Sequence, residues 1–337
     1  MTGSDVVRAS RADHAKGVGP RVSVIIPVLN EERHLRDAVS MVLDQDWSGP
    51  LEVVLAIGPS RDRTAEIAAA IAADDPRVVL VDNPSGRTPD ALNAAIGAAR
   101  GDVVIRVDGH AEIPADYIST AVRLLDQTGA DNVGGIMDAQ GTTPFQRAVA
   151  VAMKSPIGVG QSRFHVGGGP GPAETVYLGA FRRSALDRVG GYDRRYARAQ
   201  DWEMNHRIRA SGGLVYFSPE LKVTYRPRAT VEALARQYFL YGRWRRVVAR
   251  SHRGTITARY LAAPAMVLGV GGAAVLGAVW RPALAVPGAY LLGTVAAGLW
   301  ISRGEAQPVR VRTPAVLAVM HWSWGIGFLT SPRDLPR

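Results

Sequence analysis

Between residues 21 and 100 the chain repeats one hydrophobic pattern three times. The stretches RVSVIIPVLNEERHLRDAVSMVL, LEVVLAIGPSRDRTAEIAAAIAA and RVVLVDNPSGRTPDALNAAIGAA each open on an unbroken apolar run of strand length. Each then continues with apolar residues at helical spacing. A fourth apolar run, Val103 to Val107, follows and closes the expected set. Unbroken runs of this length read as strands covered on both faces, and their alternation with helices predicts a parallel sheet with right-handed crossovers. The expected fold class is α/β, with a ligand site in the loops that leave the carboxyl ends of the strands.

A second pattern fills the C-terminal third. Tyr260 to Trp280 and Pro282 to Ser302 are two 21-residue runs without a charge, separated by Arg281. As helices each would reach about 31 Å, enough to cross a hydrocarbon core of about 30 Å. They predict a transmembrane hairpin turning at Arg281-Pro282, with a kink at Pro287-Gly288. A third uncharged run, Thr313 to Pro332, carries His321, Trp322, Ser323 and Trp324, and both a span and an interfacial or re-entrant segment stay open for it. A buried helical domain is the alternative for all three runs. The expected organisation is a polar tail over 1–20 with no signal-peptide core, an α/β domain over 21–225, a basic amphipathic segment over 226–259 and a membrane region over 260–332.

Charge sharpens this picture. Basic residues number 40 and acidic ones 30, and the nine arginines between Arg226 and Arg259 face a single acid, Glu232. Within that segment Leu234, Tyr238, Tyr241, Trp244 and Val248 fall at helical spacing, with Arg236, Arg243, Arg246 and Arg250 on other faces. That pattern predicts a helix lying on an anionic membrane surface, and nucleic acid is not needed as a partner. Arginines precede the first apolar run and follow the second at Arg303, Arg310 and Arg312, while Arg281 alone lies between. The positive-inside rule then places a multi-pass protein in the cell membrane with its α/β domain in the cytoplasm. No cysteine occurs, which excludes disulfides and thiolate metal sites.

No G-x-G-x-x-G or Walker-type phosphate loop follows any of the strands, so dehydrogenase and ATPase readings fall. At the end of the fourth apolar run stands Asp108-Gly109-His110. By spacing alone it is either a metal site or a polar turn.

The motifs VSVIIPVLNEE, PSRDRTAEI, GRTPDALNAAIGAARGDVVIRVDGH, VYLGAFRRSALDRVGGYD and QDWEMNHRIRASGG stand in an order and spacing that resemble family 2 glycosyltransferases with the GT-A fold. With SPIGVG and RQYFLYGRWR, the chain looks most similar to the membrane-attached succinoglycan-biosynthesis branch of that family. The resemblance covers about residues 21 to 250 and implies an inverting transfer from a nucleotide-sugar donor to a lipid-linked glycan or nascent polysaccharide acceptor. It also implies that Pro27, Asn30, Glu31, Arg87 and Asn93 lie around the donor. Asp108 would begin an Asp-x-Asp metal signature whose second carboxylate is replaced by His110, and Asp201, preceded by Gln200 in place of a glutamate, would be the catalytic base. An imidazole ligand favours Mn2+ over Mg2+ as the divalent cofactor.

Bland alternatives stand beside these roles. Asn30 and Asp201 are good helix caps, Ser60, Asp62 and Thr64 fit a helix start, and Glu203 and Arg207 are spaced to pair. Where the family commonly reads the nucleobase with an acidic pair, this chain has Ile57 and Gly58, leaving Asp82 or Asn83 as substitutes. Two rival functions remain at this stage: a polyprenyl-phosphate sugar synthase, and a degenerate scaffold without catalysis.

Overall fold

A computed structural model describes residues 19–333, so all but the last two residues of the expected 1–20 tail lie outside the described residues. The chain divides into two compact units. One runs to Ile136 and resumes from Gly169 to Val223; the other takes Met137–Gly168 and the chain from Thr224 on.

In the first unit the three repeats fold as β1 (Val22–Val28), α1 (Leu35–Leu43), β2 (Leu51–Ile57), α2 (Thr64–Asp74), β3 (Val78–Asp82) and α3 (Thr88–Ala98), followed by β4 (Val103–Arg106) and α4 (Tyr117–Thr128). The four strands pair in parallel, in the order β3-β2-β1-β4. Val22, Val24 and Ile26 of β1, Val53 and Leu55 of β2, and Ile105 of β4 are buried with Leu35, Val39 and Val42 of α1 in one core. Because β2 and β3 extend the sheet to one side of β1 and β4 lies on the other, the topological switch falls between β1 and β4. Open α/β sheets have their ligand crevice at the carboxyl ends of such a pair.

Contrary to the expectation from the apolar runs, Val103–Val107 does not close the sheet. It continues through β7 (Tyr177–Arg182), β5 (Asn132–Ala139), β8 (Val215–Tyr225) and the two-residue β6 (Gly171–Pro172), with β4 to β7 and β7 to β5 both antiparallel. Glycines interrupt the apolar pattern of β5 and β7, so neither stretch reads as a strand by period. One of those glycines is a packing requirement: the Leu221 carbonyl of β8 occupies the place that a Cβ at Gly135 would need.

Residues 137–168 were assigned to the α/β domain, yet they pack with the C-terminal helices. Helix α5 (Pro144–Met153) buries Ala148, Val149, Ala152 and Met153, and its neighbours include α11 (Thr313–Leu329). Sequence order gives no hint of that partnership. Before α5's partners come α6 (Arg183–Val189) and α7 (Gln200–Ala210) in the first unit, then α8 (Val231–Ser251), α9 (Ala258–Leu276) and α10 (Ala285–Ile301) in the second.

Helix α8 corrects a further expectation. Its apolar face is not open to a membrane surface: Leu234, Tyr238, Trp244 and Val248 are buried, and α8 packs along α11 so closely that the Trp324 carbonyl fills the Cβ position of Gly242. Several of its arginines are also committed. Arg246 donates to the Phe328 and Leu329 carbonyls at 2.9 Å, Arg250 to those of Ser331 and Pro332, and Arg245 lies 4.0 Å over the Tyr260 ring. Periodicity shows that a face is apolar but not what covers it. The third uncharged run is that cover, with Val316, Leu317, Met320 and Phe328 of α11 buried.

Helices α9 and α10 behave differently. Joined through a 3-10 turn at Arg281–Leu284, the segments Ala258–Leu276 and Arg281–Ile301 are long and apolar enough to cross a membrane. Large apolar side chains stand exposed along both, among them Leu268, Val275, Leu291 and Leu292. Pro287, where the kink was expected, lies in the first turn of α10, where its missing N–H costs no helical bond.

Gly135→Ala is expected to destabilise the protein by about 1–3 kcal/mol through overpacking against Leu221. Thermal unfolding of the two proteins side by side measures it.

Candidate active site

The crevice is built from two loops. Pro27 sits beyond the last β1–β4 register pair, Ile25 with Arg106, so its missing N–H removes nothing from that ladder. The chain then turns through Asn30 in a left-handed conformation, φ 57°. Asn30 donates its N–H to Ser60 Oγ at 3.0 Å and accepts the Arg61 N–H at 2.8 Å, while the Glu31 and Glu32 N–H groups go to Thr64 Oγ1 and Asp62 Oδ2. Asn30 therefore does not cap α1, which begins at Leu35. Together with Ser60, Asp62 and Thr64 it staples the β1 loop to the β2 loop.

That staple aims Glu31 at the other loop. Glu31 Oε1 lies 2.7 Å from His110 Nδ1, and a Cβ at Gly109 would stand 3.1 Å from Glu31 Cγ, which explains the small residue between Asp108 and His110. The loops after β1 and β4 thus meet across the switch point. A carboxylate on one ring nitrogen is the usual way a metal-bound imidazole is oriented.

The centre of the site is a residue that pattern reading passed over. Arg106 ends β4, is 5% exposed, and donates from Nε and Nη2 to Asp108 Oδ1 at 3.0 and 2.9 Å. Its Nη1 donates to Asp201 Oδ1 at the start of α7. The buried Tyr192 phenol stands in the same electrostatic cluster. Burial raises the Asp201 carboxyl above the ordinary carboxylate range; Arg106 opposes that rise and Asp108 adds to it. The residue before α7, Ala199, has φ 58°, a conformation that costs a non-glycine residue about 1–2 kcal/mol. No side-chain cap is formed at that helix start, so the capping alternative for Asp201 falls away. The signal for Arg106 was present in VVIRVD: a charge inside a strand buried on both faces has to be matched by partners.

Arg87 and Asn93 turn to other work. Arg87 donates to the Arg194 carbonyl at 2.7 Å, and both amide atoms of Asn93 bond the Tyr192 backbone, at 2.7 and 2.8 Å. Asn93, expected at the donor, is a clamp on the segment that carries Tyr192. Glu203 and Arg207 do pair, at 2.7 Å. Ile57 packs on the core beside Asp82 in the β2–β3 register, and Asn83 is buried in its turn, where it bonds Arg87 and Ser85. Asp82 is exposed, so of the two substitutes it alone presents its side chain to solvent.

Among the described residues no three His, Asp or Glu side chains cluster to hold a cation unaided. The donor set does fit a divalent ion bound jointly with a substrate. Arg106 takes only Oδ1 of Asp108, leaving Oδ2 for an ion, and such ions commonly take one or two protein ligands plus phosphate oxygens.

A parallel half-sheet with a carboxylate at its switch point, joined through a buried arginine to a carboxylate on a separate helix, defines an α/β group-transfer enzyme. The description "Glycosyl transferase family 2" matches residues 23–190. The chain is 32% identical to the "Succinoglycan biosynthesis protein ExoA" of Rhizobium meliloti, over 93% of this chain and 96% of that one. It is 29% identical to an "Undecaprenyl-phosphate 4-deoxy-4-formamido-L-arabinose transferase" of Pseudomonas fluorescens, over 50% of this chain and 49% of that one. A mannosyltransferase from Pyrobaculum calidifontis, solved in complex with GDP-Man and Mn2+, superposes with a TM-score of 0.57 at 23% identity, over 94% and 93% of the two chains. The chain belongs to glycosyl transferase family 2. It has the GT-A fold and is a nucleotide-sugar-dependent glycosyltransferase.

Asn93→Ala is expected to lower stability by about 1–3 kcal/mol, since it strips two hydrogen bonds from the Tyr192 backbone. It should reduce turnover more than nucleotide binding, which isothermal titration and steady-state rates together resolve.

Proposed function

We propose that this enzyme transfers a sugar, with inversion, from a nucleoside-diphosphate donor to a lipid-linked or nascent glycan at the cytoplasmic face of the membrane. The observation that carries the proposal is the pairing of Asp108, at the nucleotide end of the sheet, with Asp201 through Arg106. The names of the Rhizobium and Pseudomonas relatives, a succinoglycan biosynthesis protein and an undecaprenyl-phosphate sugar transferase, support a lipid-linked acceptor. The exposed apolar sides of α9 and α10 support attachment to a membrane.

In this reading Pro27, Asn30 and Glu31 shape the donor side of the crevice, and Asp108 and His110 hold a divalent cation, Mn2+ in preference to Mg2+. When bound, that cation supplies positive charge to the leaving diphosphate. The acceptor hydroxyl oxygen bonds to the anomeric carbon as the bond from that carbon to the diphosphate oxygen breaks. Asp201 takes the hydroxyl proton. A carboxyl raised above its ordinary range is a better proton acceptor once ionised, and Arg106 keeps it oriented. The complex in the Pyrobaculum structure supports the cation and the class of donor.

A phosphate acceptor is the second reading, favoured by the name of the Pseudomonas relative. A phosphate oxygen needs little proton removal, so Asp201 would matter less. Against the scaffold reading stand the family membership and the pairing of Asp201 with Arg106 and of His110 with Glu31.

Asp201→Asn keeps the size of the side chain and removes the base. Turnover should fall by about 100-fold or more, with nucleotide binding and melting temperature near those of the wild type. Transfer at the wild-type rate would point to the phosphate acceptor. Because the base must be ionised, activity should be lost as pH falls through a value above the ordinary 3.8 of an aspartate; the acid limb of the kcat profile measures this. The full chain should also stay with membranes through an alkaline carbonate wash, and its release into the supernatant would contradict attachment through α9 and α10.

A further inference from the structure

Arg106 stands between two carboxylates that belong to different parts of the reaction. Asp108 lies on the strand end that faces the donor, and Asp201 lies on α7, 95 residues from Arg106 in sequence. The guanidinium uses its fork on both at once, Nε and Nη2 toward Asp108 and Nη1 toward Asp201. An arginine buried to this degree and shared in this way has little rotational freedom, so the direction of the Asp201 carboxylate is set by β4. The start of α7 contributes little to that aim. It has no side-chain cap, and it follows Ala199 in a left-handed conformation. What fixes Asp201 is the ion pair, with the Tyr192 phenol as a second partner.

We propose that Arg106 is a positioning residue for the transfer step, holding Asp201 in register with the donor-binding strand end. The proposal rests on the reading of Asp201 as base. Its consequence is a division of labour within one side chain. The contacts to Asp108 anchor the guanidinium, and the contact to Asp201 does the aiming. Arg106 touches neither substrate in this scheme, so its loss should cost the transfer step, where the proton acceptor drifts, far more than nucleotide binding. A misplacement of about 1 Å at a reacting group can cost about 100-fold in rate. Lysine offers a point charge on a flexible stem and cannot hold both carboxylates in a fixed plane. Arg106→Lys is therefore the informative variant, because it preserves the buried positive charge and removes the fork.

The full-length wild type, Arg106→Lys, Arg106→Gln, Asp201→Asn and the double variant Arg106→Lys/Asp201→Asn are compared by three readouts. These are melting temperature, binding of UDP and GDP in the presence of Mn2+, and release of nucleoside diphosphate from UDP-glucose or GDP-mannose with detergent-solubilised lipid-linked glycans as acceptor. The expected result is a fall in kcat of about 100-fold in Arg106→Lys, with nucleotide binding weakened by less than about tenfold. The double variant should be no slower than Asp201→Asn alone, since two residues acting as one unit do not add their effects.

Arg106→Gln leaves two carboxylates beside each other without a cation and serves as a second test if it folds; its kcat should fall at least as far. Equal losses of binding and turnover, independent losses that add in the double variant, or collapse of the fold in Arg106→Lys would each overturn the proposal in favour of a purely structural ion pair. A failure of the base assignment is told apart from these results, because it would appear as near-normal turnover in Asp201→Asn itself.

Discussion

A positive charge placed inside a strand that is buried on both faces must be neutralised where it stands. Arg106 meets that constraint with Asp108, two residues on, and with Asp201, brought from the far side of the sequence. Leaving one partner of such a buried set unpaired typically costs about 3–5 kcal/mol, so the fold is held to a geometry in which α7 returns to the end of β4. Strands β5 and β7 lie beside β4 on the side away from β1 and precede α7 in the chain, while β8 follows it. Parallel strands build the nucleotide half of the crevice. The later strands lead the chain toward the base.

Around that centre, side chains that look like ligands in a linear sequence turn out to be struts. Asn30, Ser60, Asp62 and Thr64 knot two loops together, and Asn93 holds the backbone that carries Tyr192. In the proposed reading, the contacts between the β1 and β2 loops shape the donor side of the crevice. Glu31 reaches His110 because its backbone is pinned by Thr64. In the proposed reading the chemistry falls to few groups: a carboxylate with one open oxygen, an oriented imidazole and a second carboxylate held by arginine.

The parallel strands and the switch-point loops were legible because their apolar runs have strand length and their motifs sit at the runs' ends. Val24, Val53 and Ile105 declare themselves by burial pattern alone. The antiparallel strands were not, since Gly134, Gly135 and Gly179 interrupt β5 and β7, and their partners lie dozens of residues away. For the same reason the helix over Val231–Ser251 was legible as amphipathic but its covering surface was not: α11 lies over sixty residues downstream. Arg106 was passed over because a run of apolar neighbours hid a charge whose partners only the fold reveals. His110 and Asp201, in contrast, were found by position in motifs, and the structure brings each to a partner carboxylate or guanidinium.

The central claim is that the carboxyl ends of β1 and β4 hold the donor diphosphate through a cation on Asp108 and His110. The most direct measurement is crystallographic: the protein with Mn2+ and UDP or GDP, with anomalous scattering used to locate the metal. A manganese peak bonded to Asp108 Oδ2 and the His110 imidazole, and bridging to the diphosphate, is the predicted result. Manganese elsewhere, or a nucleotide seated away from the β1 and β4 loops, would contradict it.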